Sequence, residues 1–253
     1  MRSTVPGIMI IAAILFLGNP AHADLMDKAK SLLNKDKSKP ASSAEPAGQG
    51  GGKLDQATVS AGLKEALSIG AKNAVQTVSA SDGYFKNPAI KIPLPEKVQK
   101  VEKPLRKIGL SKQVDEFVLT MNRAAEKAAP PAKDIFIGAV KEMTIVDAIN
   151  ILKGGDTAAT DYMKTRTYDK LYAVFKPTVS KAVMDVGVTK SYQQLVNKAK
   201  KSKLIKDESL DLDHHVTSKA LDGLFYMLGQ EERKIRKDPV ARVTDLLKKV
   251  FGK

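Results

Sequence analysis

Cysteine is absent from all 253 residues of the chain. That absence removes disulfides, thiolate metal sites, a cysteine nucleophile and lipid attachment at a processed N-terminal cysteine together. Tryptophan is absent too, and Phe and Tyr supply only 5% of the residues. No basic stretch is rich in aromatics as nucleic-acid-binding motifs are, so nucleic acid is not expected as a partner although the charge would suit it. No convincing alternation of apolar and polar residues marks a strand, which points to an all-α fold. The apolar run from Ile8 to Leu17 falls short of the roughly 20 residues that a spanning helix needs, and no later segment is apolar for long enough.

What is present starts with a leader. "MRSTVPGIMIIAAILFLGNPAHA" has Arg2, the apolar run, Gly18-Asn19-Pro20 and then Ala21-His22-Ala23, the order of a secretory signal peptide with an A-x-A cleavage site. The chain is therefore expected to be exported, cut near Ala23 and soluble in a bacterial periplasm; an extracellular destination fits the same residues. Lys and Arg number 42 against 28 Asp and Glu, a formal net charge of +14, of which the leader holds only Arg2. Such an excess favours anionic partners, in an envelope the lipid head groups, the wall polymers or an acidic protein.

After the leader, residues 24–36 carry Leu25, Met26, Ala29, Leu32 and Leu33 at helical spacing, the pattern of a short amphipathic helix. Residues 37–53, "KSKPASSAEPAGQGGGK", read as a flexible linker spanning about 20 to 25 Å root-mean-square. From Leu54 onward the period is helical almost throughout, and a single bundle-like domain of about nine helices is expected. Val59, Leu63, Leu67, Ala71, Val75 and Val78 form one stripe, Val98, Val101, Leu105 and Ile108 another, and Val114, Phe117, Val118, Met121 and Ala125 a third, with Ser111 as the expected cap. Thr144, Thr189, Thr217 and the Asp238-Pro239 pair are expected to open later helices, and Gly109 and Gly187 to end earlier ones.

One segment resists this pattern. In "SDGYFKNPAIKIPLPE", 81–96, Pro88, Pro93 and Pro95 forbid a continuous helix. Its Tyr84, Phe85, Ile90, Ile92 and Leu94 are too apolar for a solvated loop. A strap packed across the bundle explains them; a lid over a ligand groove, formed by Tyr84, Phe85, Ile92 and Leu94, is the functional alternative.

Candidate chemistry is sparse, and no cofactor is implied. "KGGDTAATDY" lacks the strand and the Gly-x4-Gly-Lys-Ser/Thr spacing of a phosphate loop. It reads instead as a helix joint, with Gly154 left-handed after Lys153 and Asp156 or Thr157 capping the next helix. Asp211, Asp213, His214 and His215 are a weak metal candidate, because adjacent histidines point apart and a polar loop before Thr217 explains the same letters. Asn122, Arg123 and Glu126, together with Arg166, Glu231, Glu232 and Arg236, are candidates for a ligand site or a polar network if they face inward, and for solvated pairs if they do not. No serine stands in a nucleophile elbow. Lys190, Lys198, Lys200, Lys201, Lys203 and Lys206 crowd 17 residues without an acid, either a solvated helix end or a docking patch for an anionic surface.

Four stretches, "NPAIKIPLPE" (87–96), "MNRAAE" (121–126), "GGDTAAT" (154–160) and "KALDGLFYML" followed by "EERKIRKDP" (219–239), resemble a bacterial family known as a domain of unknown function, number 4197. The resemblance runs from Leu54 to Gly252 and implies an exported helical domain, with no catalytic residues to carry over. His215 departs from the aromatic expected there, which argues against a metal role. Three functions remain: a non-enzymatic binding or scaffolding protein at an anionic envelope surface, a helical carrier of an apolar ligand, and an enzyme with paired carboxylates such as Glu126 and Glu232. The first is favoured because every apparent motif has a helix-packing explanation.

Overall fold

The computed structural model describes residues 55–185, 188–201 and 211–252. The leader, the 24–36 helix and the 37–53 linker lie outside them. Among the described residues every regular element is helical, so the all-α expectation holds. Helix α1 (Gln56–Ser79) begins where Asp55 accepts the Thr58 amide at 2.8 Å, satisfying a donor that the first turn leaves without an intrahelical partner. Its buried stripe of Leu63, Leu67, Ala71, Val75 and Val78 follows the expected spacing.

Helix α2 (Glu96–Leu105) leads through a π turn, Arg106–Leu110, into α3 (Ser111–Ala128). The second stripe breaks in that turn: Val98 and Leu105 are buried, but Ile108 is 49% exposed. Ile108 and Gly109 leave helical geometry, and Gly109 takes φ +83°, which glycine adopts without strain. Gly109 thus ends a helix as expected. Ser111 does not cap the next one; it is already helical, and Leu110 holds the cap position with no side-chain bond.

Helices α4 (Ala132–Glu142), α5 (Ile145–Lys153), α6 (Ala158–Asp185), α7 (Val188–Lys201), α8 (Leu212–Lys237) and α9 (Asp245–Phe251) follow. Thr144 opens α5 in a capping box, its hydroxyl accepting the Asp147 amide at 3.1 Å while Asp147 accepts the Thr144 amide at 2.9 Å. Three other expected starts are corrected. Thr189 lies inside α7, which begins at Val188, and Gly187 falls outside the described residues. Thr217 is buried within α8, because Asp211 caps that helix earlier by accepting the His214 amide at 2.9 Å; the segment expected as a polar loop is its first turn. Asp238-Pro239 opens only a 3-10 turn, Pro239–Ala241, and α9 starts later, where Thr244 accepts the Leu247 amide at 3.2 Å.

Helix α8 is the hub, packed against α6, α1 and α3, while α4 and α5 pack on both α1 and α6, and α7 packs on α3 and α6. The strap runs from α1 to α2 as part of this core. Tyr84 and Ile92 have no exposed surface, and Ile90 and Leu94 are buried. Gly223 on α8 makes the close approach feasible, since a Cβ there would meet the Tyr84 ring and Ile90. Burying side chains of this size is worth about 1.5–3 kcal/mol each, enough to hold an irregular segment on a helical bundle.

Candidate functional site

Three of the candidate carboxylates are buried, and two of them, Glu126 and Glu232, hold backbone. Glu126 on α3, 5% exposed, accepts the amides of Tyr84 at 3.2 Å and Phe85 at 3.3 Å through Oε1. Arg123 donates to its Oε2 at 2.6 Å and to Asp82 Oδ1 at 2.5 Å. Hydrogen bonds from Lys86 and then Arg123 hold the Asp82 carboxyl below the usual range. Fully buried Asn122 accepts the Ile92 amide at 2.8 Å and donates to the Ile92 carbonyl at 3.0 Å, giving that residue what a neighbouring strand would give. The Tyr84 hydroxyl donates to the Ala220 carbonyl at 2.7 Å, and burial pushes its pKa well up. The residues proposed as a lid are therefore strap residues fixed to the core, with Phe85 alone half-buried at the surface.

Glu232 on α8 plays the same part for the start of α6. Its Oε1 accepts the Ala159 amide at 3.0 Å, and its Oε2 accepts the Thr160 amide and hydroxyl, both at 2.8 Å. Arg236 donates through Nε to Glu232 Oε1 at 2.9 Å and through Nη2 to the Ile151 carbonyl at 2.9 Å. One ion pair thus ties α8 to both sides of the glycine joint. The amides at this helix start, where the dipole favours an anion, are filled by the protein's own carboxylate. Gly154 is extended, φ −76° and ψ 178°, not left-handed as expected, and Asp156 pairs with Lys237, which holds its carboxyl below the usual range.

The remaining candidates are dispersed. Glu231 accepts Asn73 Nδ2 at 2.9 Å and Lys234 Nζ at 2.5 Å, linking α8 to α1. Arg166 is exposed over the Tyr162 ring at 5.5 Å. His214 Nδ1 lies 2.8 Å from the Tyr172 hydroxyl, while His215 Nε2 donates to the Pro93 carbonyl at 3.0 Å, and burial lowers the His215 pKa. Among the described residues no group of three or more His, Cys, Asp or Glu is suited to hold a metal. Lys198 and Lys201 are exposed and Lys200 partly so; Lys203, Lys206 and the side chain of Lys190 lie outside what is described.

Sequence reasoning missed Arg242. It is 9% exposed and donates to the carbonyls of Ile235 at 3.1 Å and Arg236 at 2.9 Å, capping the end of α8. A cation just beyond a helix end is the signal that could have found it. The recess lined by Leu67, Ala159, Leu228, Glu232, Ile235 and Phe251 has room for about 10 Å³, one water at most. Two open grooves flank the strap, of about 620 Å³ beside Phe85, Lys91 and Arg106 and about 310 Å³ beside Ile90, Lys219 and Tyr226. In the larger, Arg106 is already bound to Glu102 at 2.9 Å and Asp115 at 2.7 Å.

Among the described residues, fold and contacts define an all-helical domain whose buried acids are taken up by its own backbone and side chains. The chain belongs to the family described as "Protein of unknown function (DUF4197)", whose model matches residues 53–252. No curated protein and no solved structure matches it. Among the described residues no helix is long and apolar enough to cross a membrane.

Proposed function

We propose that the chain is an exported, non-enzymatic binding or scaffolding domain that works from its surface, at an anionic part of the cell envelope. The observation that carries this reading is the engagement of the inward acids. Glu126 and Glu232 each accept two consecutive backbone amides and an arginine, so neither is left in reach of a substrate proton. Paired-carboxylate hydrolysis needs two acids facing each other across room for a substrate or a water. These two networks share no residue, and the recess at Glu232 holds one water at most. That recess is also too small for the apolar ligand of a carrier, and the larger groove beside the strap is open and lined by Lys91, Gln99, Glu102, Arg106 and Asp115 as well as apolar residues. The leader supports export, and the net charge of +14 supports an anionic partner.

Incubating the protein with isolated envelope fractions tests the reading. Retention at low salt and release at high salt are expected, because exposed charges are screened. Salt-insensitive retention would contradict it, as would a reaction that disappears in Glu232→Gln while the variant remains folded.

A further inference from the structure

The lysine-rich surface extends beyond α7. From Lys170 to Lys201 the chain has seven lysines, no arginine and one acid, Asp185. Along the second half of α6, Leu171, Phe175, Val179 and Val183 are buried. Lys170, Val174, Pro177, Lys181 and Met184, alternately four and three residues apart, form the exposed stripe opposite. On α7, Leu195 and Val196 face inward while Gln194, Asn197, Lys198 and Lys201 are exposed. Both helices pack on α3 and on each other, so the two exposed stripes are carried by adjoining helices. Met184 is 65% exposed and Val174 37%, apolar side chains set among cations.

The choice of cation narrows the partner. Arg123 and Arg236 aim at the buried carboxylates of Glu126 and Glu232, where a rigid planar fork suits a fixed acceptor. From Lys170 to Lys201 the cations are all lysines, flexible point charges that tolerate any arrangement of anions. Lys170, Lys181, Lys198 and Lys201 join no ion pair among the described residues. Ammonium groups that reach phosphates while their stems and a neighbouring methionine bury fit a fluid anionic surface better than a folded acidic protein.

We propose that the exposed stripes of α6 and α7 dock on a bilayer containing anionic phospholipid, with Met184 entering the interface. The inference rests on the anionic-surface reading above and narrows it to one face and one partner. Vesicle co-sedimentation of the processed protein tests it, with phosphatidylglycerol–phosphatidylethanolamine vesicles against pure phosphatidylcholine. A variant with Lys170, Lys181, Lys198 and Lys201 changed to Gln is compared with one in which Lys100, Lys127, Lys133 and Lys153, exposed elsewhere, are changed to Gln. Both lose the same charge from exposed positions, and thermal melts confirm that both fold. Wild type is expected to bind only the anionic vesicles, the first variant at least about 100-fold more weakly, and the control within about threefold of wild type. Met184→Ser is expected to weaken binding severalfold and to make what remains more salt-sensitive. Equal losses in the two lysine variants would overturn the docking face and leave the anionic-surface reading standing. No binding of wild type to anionic vesicles, with retention on envelope fractions intact, would replace the bilayer by another envelope anion. Failure of both would overturn both.

Discussion

The strap and the glycine joint are two irregular segments held by the same device and exposed to water differently. At the strap, Glu126 accepts two amides and pairs with Arg123, which is 31% exposed and shared with a surface aspartate. At the joint, Glu232 accepts two amides and a hydroxyl and pairs with Arg236, which is 13% exposed and also holds the Ile151 carbonyl. Glu232 precedes its arginine by one turn, the favourable order along a helix, whereas Glu126 follows its own. It also lies at the start of a 28-residue helix, where the dipole adds attraction. A buried acid can therefore be an anchor for backbone, and its strength depends on how completely water is excluded from its partner.

The largest expected effect breaks the stronger anchor. Glu232→Ala leaves two helix-start amides and Arg236 without their acceptor and is expected to lower unfolding free energy by about 3–5 kcal/mol in a urea titration. Glu126→Ala should lose about 2–3 kcal/mol, because water can reach Arg123 and partly replace the acid. Equal losses would remove the contrast. The arginines sharpen it, with Arg236→Ala expected to cost about 2 kcal/mol and Arg123→Ala about 1 kcal/mol by the same titration.

The smallest effect is in pH. Burial lowers the His215 pKa below 6.5, so the neutral form is favoured in the fold. Its contribution is complete above pH 6.5 and is lost as pH falls from there towards the folded pKa. Lys219, His214 and Glu96 are the charged or titratable groups around it. Asp82 and Asp156, held below their ordinary value of 3.8, keep their contributions until pH falls below that value. Mild acid should thus destabilise the strap side, by charging the buried His215 ring that packs at Pro93, before it reaches the joint. The expected result is a small fall in Tm just below pH 6.5 that disappears in His215→Phe.

Much of this fold could be read from local letters, and most of what holds it could not. The α1 and α3 stripes, the Thr144 cap and the strap each follow from residues within a few positions of one another. The anchors do not: Glu232 meets Ala159 across 73 residues, and Glu126 meets Tyr84 across 42. Periodicity marked both acids as candidates without naming the amides they hold. Thr217 misled because Asp211, a stronger cap, starts α8 earlier; the threonine is carried inside, its hydroxyl buried without a hydrogen-bond partner. Ile108 misled because Gly109 ends the helical period beside it. Gly154 closes its helix from extended geometry, since Arg236 and Glu232 supply across the fold what a left-handed turn would supply locally.

The account's central claim is that the inward acids serve the protein's own backbone while its partner is met at the lysine surface. Amide hydrogen exchange on Glu232→Gln, followed residue by residue at a temperature where the variant is folded, tests it most directly. The account predicts faster exchange at Ala159 and Thr160, unchanged protection at Tyr84 and Phe85, and wild-type binding to anionic vesicles. Unchanged protection at Ala159 and Thr160 together with lost binding would contradict it, and would make Glu232 part of the functional site.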